Sequence, residues 1–294
     1  MKIQYAKINI RRSGLSLIGH VNAIIAEYET AGYSLTLRQV YYQLVSRDLI
    51  ENSEKSYKHV GSLVSNGRLA GLISWQAIED KTRALRRLPH WDAPAEIVKS
   101  AAKQYRRDLW EGQSRYCEVW VEKDALIGIV EQAAERLDCP CFSCRGYTSQ
   151  SEMWGAAMRF VEKSGNGREC VLIHLGDHDP SGIDMTRDIR ERLAMFGASV
   201  DVKRIALNMP QIEEYNPPPN PAKETDTRAA GYIAKYGNSS WELDALEPRA
   251  LDALITAAIK SSLDQKKYSR AIKKQEAERK SIAALLPLID KNNV

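Results

Sequence analysis

The stretch Val171–Gly182, VLIHLGDHDPSG, constrains this chain more than any other. Val171, Leu172 and Ile173 form a short apolar run rich in β-branched residues, as expected of a strand buried on both faces. The run stops in the turn-forming cluster Asp177-His178-Asp179-Pro180-Ser181-Gly182. An amphipathic helical pattern with Ile183, Ile189 and Leu193 follows. A buried strand that ends in carboxylates and turns into a helix is how an open α/β sheet presents ligands at its carboxyl edge. Alternate residues of an extended segment point the same way, which directs Asp177 and Asp179 toward one hard cation. Taken alone, the string reads better as a polar turn with a helix cap.

A second stretch changes that balance. Cys117-Glu118-Val119-Trp120-Val121 is another β-like run, and it ends in Glu122-Lys123-Asp124 before the helical pattern Ala125, Leu126, Ile129, Val130 and Ala133. Parallel strands bring their C-terminal ends to one sheet edge, where Glu122, Asp177 and Asp179 can converge. Such a cluster suits Mg²⁺, which takes a few carboxylates, keeps waters and binds phosphate oxygens.

At 294 residues the chain is long enough for two domains. Its 44% apolar and 27% charged residues are ordinary for a globular protein, and no apolar run approaches the ~20 residues that span a bilayer. The start, MKIQYAKINIRRSG, lacks the apolar core of a secretory signal, so a cytoplasmic, nucleoid-associated protein without a membrane partner is expected. The five cysteines, an odd number, read as reduced thiols. Cys139-Pro140-Cys141 with Cys144 lacks the second ligand pair of a usual zinc site, and Phe142 beside them suggests a strand with buried thiols.

Net charge is +4, and it is unevenly spread. Lys81, Arg83, Arg86, Arg87, Lys99, Lys103, Arg106 and Arg107 crowd the segment before the α/β part, as a phosphate-tracking surface would. The N-terminal third reads as helices. Leu15, Ile18, Val21, Ile24, Ile25 and Tyr28 recur at helical spacing up to a stop at Gly32. A capping-box-like start at Thr36 opens a second helix, and Lys55–Leu72 predicts a third. Gly71–Trp75 reads as a short wing strand, making a helix-turn-helix or winged-helix module. Tyr41 and Tyr42 point about 100° apart on a helix, so at most one is expected in its core stripe.

These motifs, in this order, resemble one family. A glutamate after one strand and Asp-x-Asp after a later one match the TOPRIM fold. Arg38-Gln39-Val40-Tyr41-Tyr42 resembles the Arg-x-x-(Tyr/Phe)-Tyr signature of the topoisomerase VI A subunit and the meiotic double-strand-break proteins. Val121–Ala125, Arg145-Gly146-Tyr147 and Asp177-x-Asp179-Pro180-x-Gly182 resemble later motifs of that family, and Trp241–Leu246 resembles a C-terminal helix start shared with it. The resemblance therefore runs from about Thr36 to Leu246. It departs where Thr148-Ser149 follow Tyr147, and at His178, which we read as a solvent-facing loop residue. Asn216–Pro221, with three consecutive prolines, reads as a stiff extended loop.

The resemblance implies an α/β protein. A winged-helix-like DNA-binding domain over residues 1–112 carries the tyrosine and a basic linker helix. A TOPRIM domain with a parallel-sheet core and a C-terminal helical extension covers 113–294. It implies Tyr42 as nucleophile, Arg38 as its helper, and Mg²⁺ on Glu122, Asp177 and Asp179. Lys123, Arg145, Arg83, Arg86 and Arg87 are the expected DNA contacts. It further implies Mg-dependent double-strand cleavage of DNA through a 5′-phosphotyrosyl link, by a homodimer in which the tyrosine of one chain faces the metal site of the other. No Gly-rich ATPase motif occurs here, so ATP-driven strand passage would need a separate B-type subunit. Two other readings stay open: a TOPRIM nuclease that activates water at the same carboxylates, and a catalytically silent DNA-binding protein. In the tail, Leu251, Leu254, Ile255, Ala258 and Ile259 predict a packing helix, and the lysine- and arginine-rich segment after it a solvated basic helix.

Overall fold

The computed structural model describes residues 2–78, 88–223 and 225–287. Helix α1 (Arg12–Thr30) buries the expected stripe of Ile18, Val21, Ile24, Ile25 and Tyr28. Helix α2 (Leu37–Ser46) starts at the expected cap. Gln39 N donates to Thr36 Oγ1 at 3.3 Å, and Thr36 N donates to Gln39 Oε1 at 2.8 Å. Helix α3 (Glu54–Leu69) ends three residues short of the expected Leu72. The expected wing strand at Gly71–Trp75 is not a strand. Leu72 N and Ile73 N both donate back to Gly67 O, at 2.8 and 3.1 Å, so the backbone curls and drives Ile73 into the core.

The predicted α/β part forms a mixed α/β fold around a four-stranded parallel sheet. Strands β1 (Arg115–Val121), β2 (Cys141–Ser143), β3 (Glu169–Leu175) and β4 (Val200–Ala206) lie in the order β2-β1-β3-β4. Helices numbered on from α4 (Pro94–Gln104) join them: α5 (Ile127–Glu135), α6 (Gln150–Gly165) and α7 (Pro180–Met195). Alternation along the strands sorts the side chains. Val119, Val121, Val171 and Ile173 pack against α5, while Trp120 and Leu172 pack against α6 and α7. Burying a side chain such as fully covered Ile173 contributes about 1.5–3 kcal/mol. The cysteines join these layers: Cys139 Sγ lies 3.3 Å from Cys117 O, and Cys117, Cys139, Cys144 and Cys170 are buried.

After the sheet come α8 (Met209–Tyr215), a small antiparallel pair of β5 (Asn220–Pro221) and β6 (Ser239–Ser240) flanking α9 (Ala229–Tyr236), then α10 (Pro248–Ser261) and α11 (Gln265–Ala283). The predicted apolar stripe of α10 buries Leu251, Ile255 and Ile259 on the face shared with α5. Basic α11 packs on α4, where Arg107 pairs with Glu278 at 2.8 Å. Arg107 of the basic segment is therefore paired within the chain. Among the described residues no helix is long and apolar enough to cross a membrane.

Candidate active site

A cleft of about 510 Å³ opens between α2 and the carboxyl edge of the sheet. Arg38, Tyr41 and Tyr42 line one wall, Asp177, Asp179, Trp241 and Glu242 the other, and Asn52, Asn220 and Lys223 its rim. The helical and α/β halves of the sequence thus meet where their motifs lie.

The sheet wall is built by strand ends. β1 and β3 pair in register through Val121 and Leu175, so Glu122 and Asp177 emerge side by side. Glu122 Oε2 accepts from Asp177 N at 2.9 Å, so one carboxylate braces the backbone of the next. Asp179 is the N-cap of α7, accepting from Gly182 N at 2.6 Å and Ser181 Oγ at 3.0 Å. The helix-cap and site readings of this aspartate are therefore compatible. Gly182 is required by closeness: a Cβ there would collide with Asp177 O and lie 3.0 Å from Glu122 Oε2.

Positive charge sits inside this acidic edge. Lys123 Nζ is 2.7 Å from Asp177 Oδ2 and also pairs with Glu242, with Asp244 at 3.6 Å. Arg38 reaches across the cleft, with Nη2 2.5 Å from Glu242 Oε2 and Nε 2.6 Å from Asp244 Oδ2. The second contact is an ion pair without hydrogen-bond alignment, because Arg38 Nε and both Asp244 oxygens are buried with no hydrogen-bond partner. Burial pushes the Asp177 carboxyl up to about 7, opposed by Lys123 and reinforced by Glu122 and Glu242. Burial likewise raises Glu122, with Asp179 adding repulsion, and raises Asp244. The Tyr42 phenol is raised by burial and by Glu242, while Arg38, the Asn220 side chain and Lys123 oppose the shift.

These groups differ in their fitness for a cation. Among the described residues no three His, Cys, Asp or Glu side chains stand together as a ready metal cage, and Asp177 is taken up by Lys123 and by Leu243 N at 2.8 Å. Glu122 and Asp179 repel each other, and no hydrogen bond among the described residues reaches Glu122 Oε1 or Asp179 Oδ2. The free oxygens of Glu122 and of Asp179, which lines the cleft, are the donors left for Mg²⁺, an ion commonly held by one or two carboxylates with waters and phosphate completing the shell.

Two expectations need correction. Tyr41 and Tyr42 are both buried, at 4% exposure each. Helix α2 is enclosed by α1, α3 and the turn Leu243–Ala245, so it has no single core stripe. Tyr41 Oη accepts from Ser53 N at 2.8 Å, a structural anchor. His178 is no solvent-facing loop residue: it is 2% exposed, bonded through Nδ1 to Tyr232 Oη at 2.7 Å and ringed by Tyr232, Tyr236 and Trp241. Its backbone exchanges two hydrogen bonds with Trp241, which draws the ring inward.

Of the expected DNA contacts, Lys123 lies in the acidic network, whereas Arg145 pairs with Asp124 at 3.1 Å on a separate pocket with Tyr147. Arg83, Arg86 and Arg87 lie outside the described residues. Sequence reasoning misses Glu242, Asp244, Asn220 and Arg204. Trp241–Leu246 reads as a helix start in the sequence, but it carries two carboxylates into the cleft and forms only a short 3₁₀ turn, Leu243–Ala245. Half-buried Arg204 donates to Gly176 O at 2.8 Å, Asp177 O at 2.5 Å and Gly182 O at 2.9 Å, fastening the Asp-x-Asp loop from below. The proline loop folds back on the helical part, where Asn52 Nδ2 donates to Asn220 Oδ1 at 2.8 Å. Comparison with protein-family models, with curated proteins and with solved structures finds no match to this chain.

Proposed function

We propose that this chain cleaves DNA as a topoisomerase VI A-like protein, making Mg²⁺-dependent double-strand breaks through a 5′-phosphotyrosyl intermediate. Residues 1–112 would supply the DNA-binding, tyrosine-bearing part and 113–294 the TOPRIM part. The observation that carries this reading is the shared cleft: Tyr42 and Arg38 on one wall, Asp177 and Asp179 on the other. The motif order Tyr-Tyr, Glu-Lys-Asp, Asp-x-Asp-Pro-x-Gly supports it independently.

In this reading Tyr42 Oη attacks the scissile phosphorus. Arg38, one turn earlier on α2 with its guanidinium 5.8 Å from the Tyr42 ring centre, holds the phosphate and favours the phenolate. Glu122 and Asp179, joined by Asp177 once Lys123 releases it, are the residues that would hold Mg²⁺, which when bound would offset phosphate charge and orient the backbone. Lys123 favours the ionised form of Asp177 against the burial that raises it. ATP-driven strand passage would require a separate ATPase chain. The burial of Tyr42, which disfavours its phenolate, specifically favours a second reading: a nuclease that activates water at the same carboxylates.

One experiment separates them. End-labelled and supercoiled DNA are incubated with Mg²⁺ and the protein, then quenched with denaturant, comparing wild type with Tyr42→Phe and Asp177→Ala. A protein–DNA adduct lost in both variants supports the proposal. Cleavage that survives Tyr42→Phe but not Asp177→Ala establishes the nuclease, and binding without cleavage in Mg²⁺ counts against both.

A further inference from the structure

Helix α11 has two faces of opposite character. Tyr268 and Ile272 point inward and join the core shared with α10. On the same side Gln275 accepts from Arg107 N at 2.8 Å and Arg279 donates to Tyr105 O at 2.9 Å. With 3.6 residues per turn, Lys266, Arg270, Lys273 and Lys280 fall on the opposite face, within about 80° of arc and along about 21 Å of helix. All four are exposed, and exposed Lys99 and Lys103 of α4 border the same crevice as Lys280. Among the described residues none of these six side chains forms a salt bridge. Of the two acids within α11, Glu278 is engaged by Arg107 and Tyr105, and Glu276 stands about 80° from the middle of the stripe. The position of this face sets it apart from the cleft. Asp264, which caps α11, donates through its backbone N to Gln113 Oε1 at 2.8 Å, and Lys267 Nζ donates to Gly112 O at 2.9 Å, so the helix starts beside the entrance to β1. The cleft lies past the other end of that strand, about 20 Å along it.

A straight row of cations without acids among them suits a rod-shaped polyanion, and duplex DNA presents a phosphate about every 3.4 Å along each strand. A helix that lies in a membrane surface needs a free apolar side, and that side of α11 is packed inside the protein. A helical protein partner needs apolar anchors, whereas Ser269 and Ala277 are what stands between these cations. We propose that the outer face of α11, extended by Lys99 and Lys103, is a second nucleic-acid surface. It holds duplex DNA by its phosphates, without reading bases, at the sheet edge opposite the cleft. The choice of DNA among polyanions rests on the proposed function. DNA held there makes no demand on Arg38 or Lys123 and needs no divalent ion, so the chain anchors a duplex before any strand enters the cleft.

Salt-dependent binding tests this. Full-length wild type is compared with a chain carrying Lys266→Gln, Arg270→Gln, Lys273→Gln and Lys280→Gln, and with one carrying Lys266→Arg, Lys273→Arg and Lys280→Arg. Each is titrated against a fluorescent duplex of about 30 base pairs in EDTA at several KCl concentrations. The glutamine chain is expected to bind at least about tenfold more weakly, with a slope of log K against log [KCl] shallower by about 2 to 4, and the arginine chain within about twofold of wild type. Unchanged binding and slope in the glutamine chain, or equal weakening in the arginine chain, overturns the inference. So does capture by phosphatidylserine vesicles or by polyglutamate that is tighter than capture by DNA and is lost in the glutamine chain. Wild type is assayed alongside for adduct in MgCl₂. Binding that depends on α11 without any adduct defeats the cleavage reading alone, and adduct with binding indifferent to α11 defeats this inference alone.

Discussion

On the helical wall of the cleft, Arg38 and Tyr42 project from α2, seven of whose ten residues are buried. On the sheet wall, Glu122, Asp177 and Asp179 stand in loops of a few residues, held by one another's backbone and by Arg204. The first wall depends on side-chain packing around a regular helix, so an isosteric change there alters chemistry and spares the fold. The second depends on backbone closeness, so even one added carbon disturbs site and fold together. Reactive groups on a packed helix are separable from stability, and those on strand-end loops are not.

The largest expected effect lies on the helical wall. Tyr42→Phe keeps the ring in its packing and lowers adduct formation by at least about 1000-fold, with a thermal midpoint close to wild type. A large loss of stability in that variant, read by calorimetry, would break the distinction between the walls. On the sheet wall, Gly182→Ala forces a carbon against Asp177 O and Glu122 and is expected to cost about 3 kcal/mol in urea unfolding, with cleavage lost as well. A variant that folds normally would show that the loop has room to give.

A third effect sharpens the sheet side. His174 is fully buried at the end of β3, with Nδ1 bonded to Thr186 Oγ1 at 2.9 Å and Nε2 unpartnered, and burial holds its imidazole down at about 3. Below the ordinary 6.5 the unfolded chain takes up a proton that the folded chain refuses, so stability falls with pH from 6.5 toward 3. By pH 5 the loss is about 2 kcal/mol, and His174→Leu should flatten that slope in denaturation curves at pH 5 and 7.5. The smallest effect returns to the helix: Thr36→Ala removes one arm of the capping box of α2 and should cost about 1 kcal/mol while leaving cleavage within a few-fold of wild type.

The features legible in the sequence are the local ones. The cap at Thr36, the stripe of α1 apart from exposed Leu15, and the apolar runs of β1 and β3 depend on neighbours a few residues away, and each forms as expected. Glu122, Asp177 and Asp179 can be picked out because a strand followed by a turn places its end predictably. Glu242 and Asp244 cannot, since their role depends on contacts with Lys123 more than a hundred residues earlier. His178 and Tyr41 mislead for the same reason: aromatic neighbours from α9 and the α2 enclosure come from tertiary packing, which no short spacing encodes.

The ion network has a consequence for how a polyanion could enter. Arg38, Lys123 and Arg204 lie among the carboxylates of Glu122, Asp177, Asp179, Glu242 and Asp244, with Lys223 on the rim, so four positive groups meet five acidic ones. Over the chain as a whole, lysines and arginines exceed acids, 42 to 38, and added salt weakens attraction to phosphate. Around the sheet edge that excess of positive charge is lost, so in the proposed reading phosphate would enter more readily once divalent ions accumulate there. Magnesium would then act as an admission condition for the strand, so that monovalent salt and Mg²⁺ push occupancy of this cleft in opposite directions.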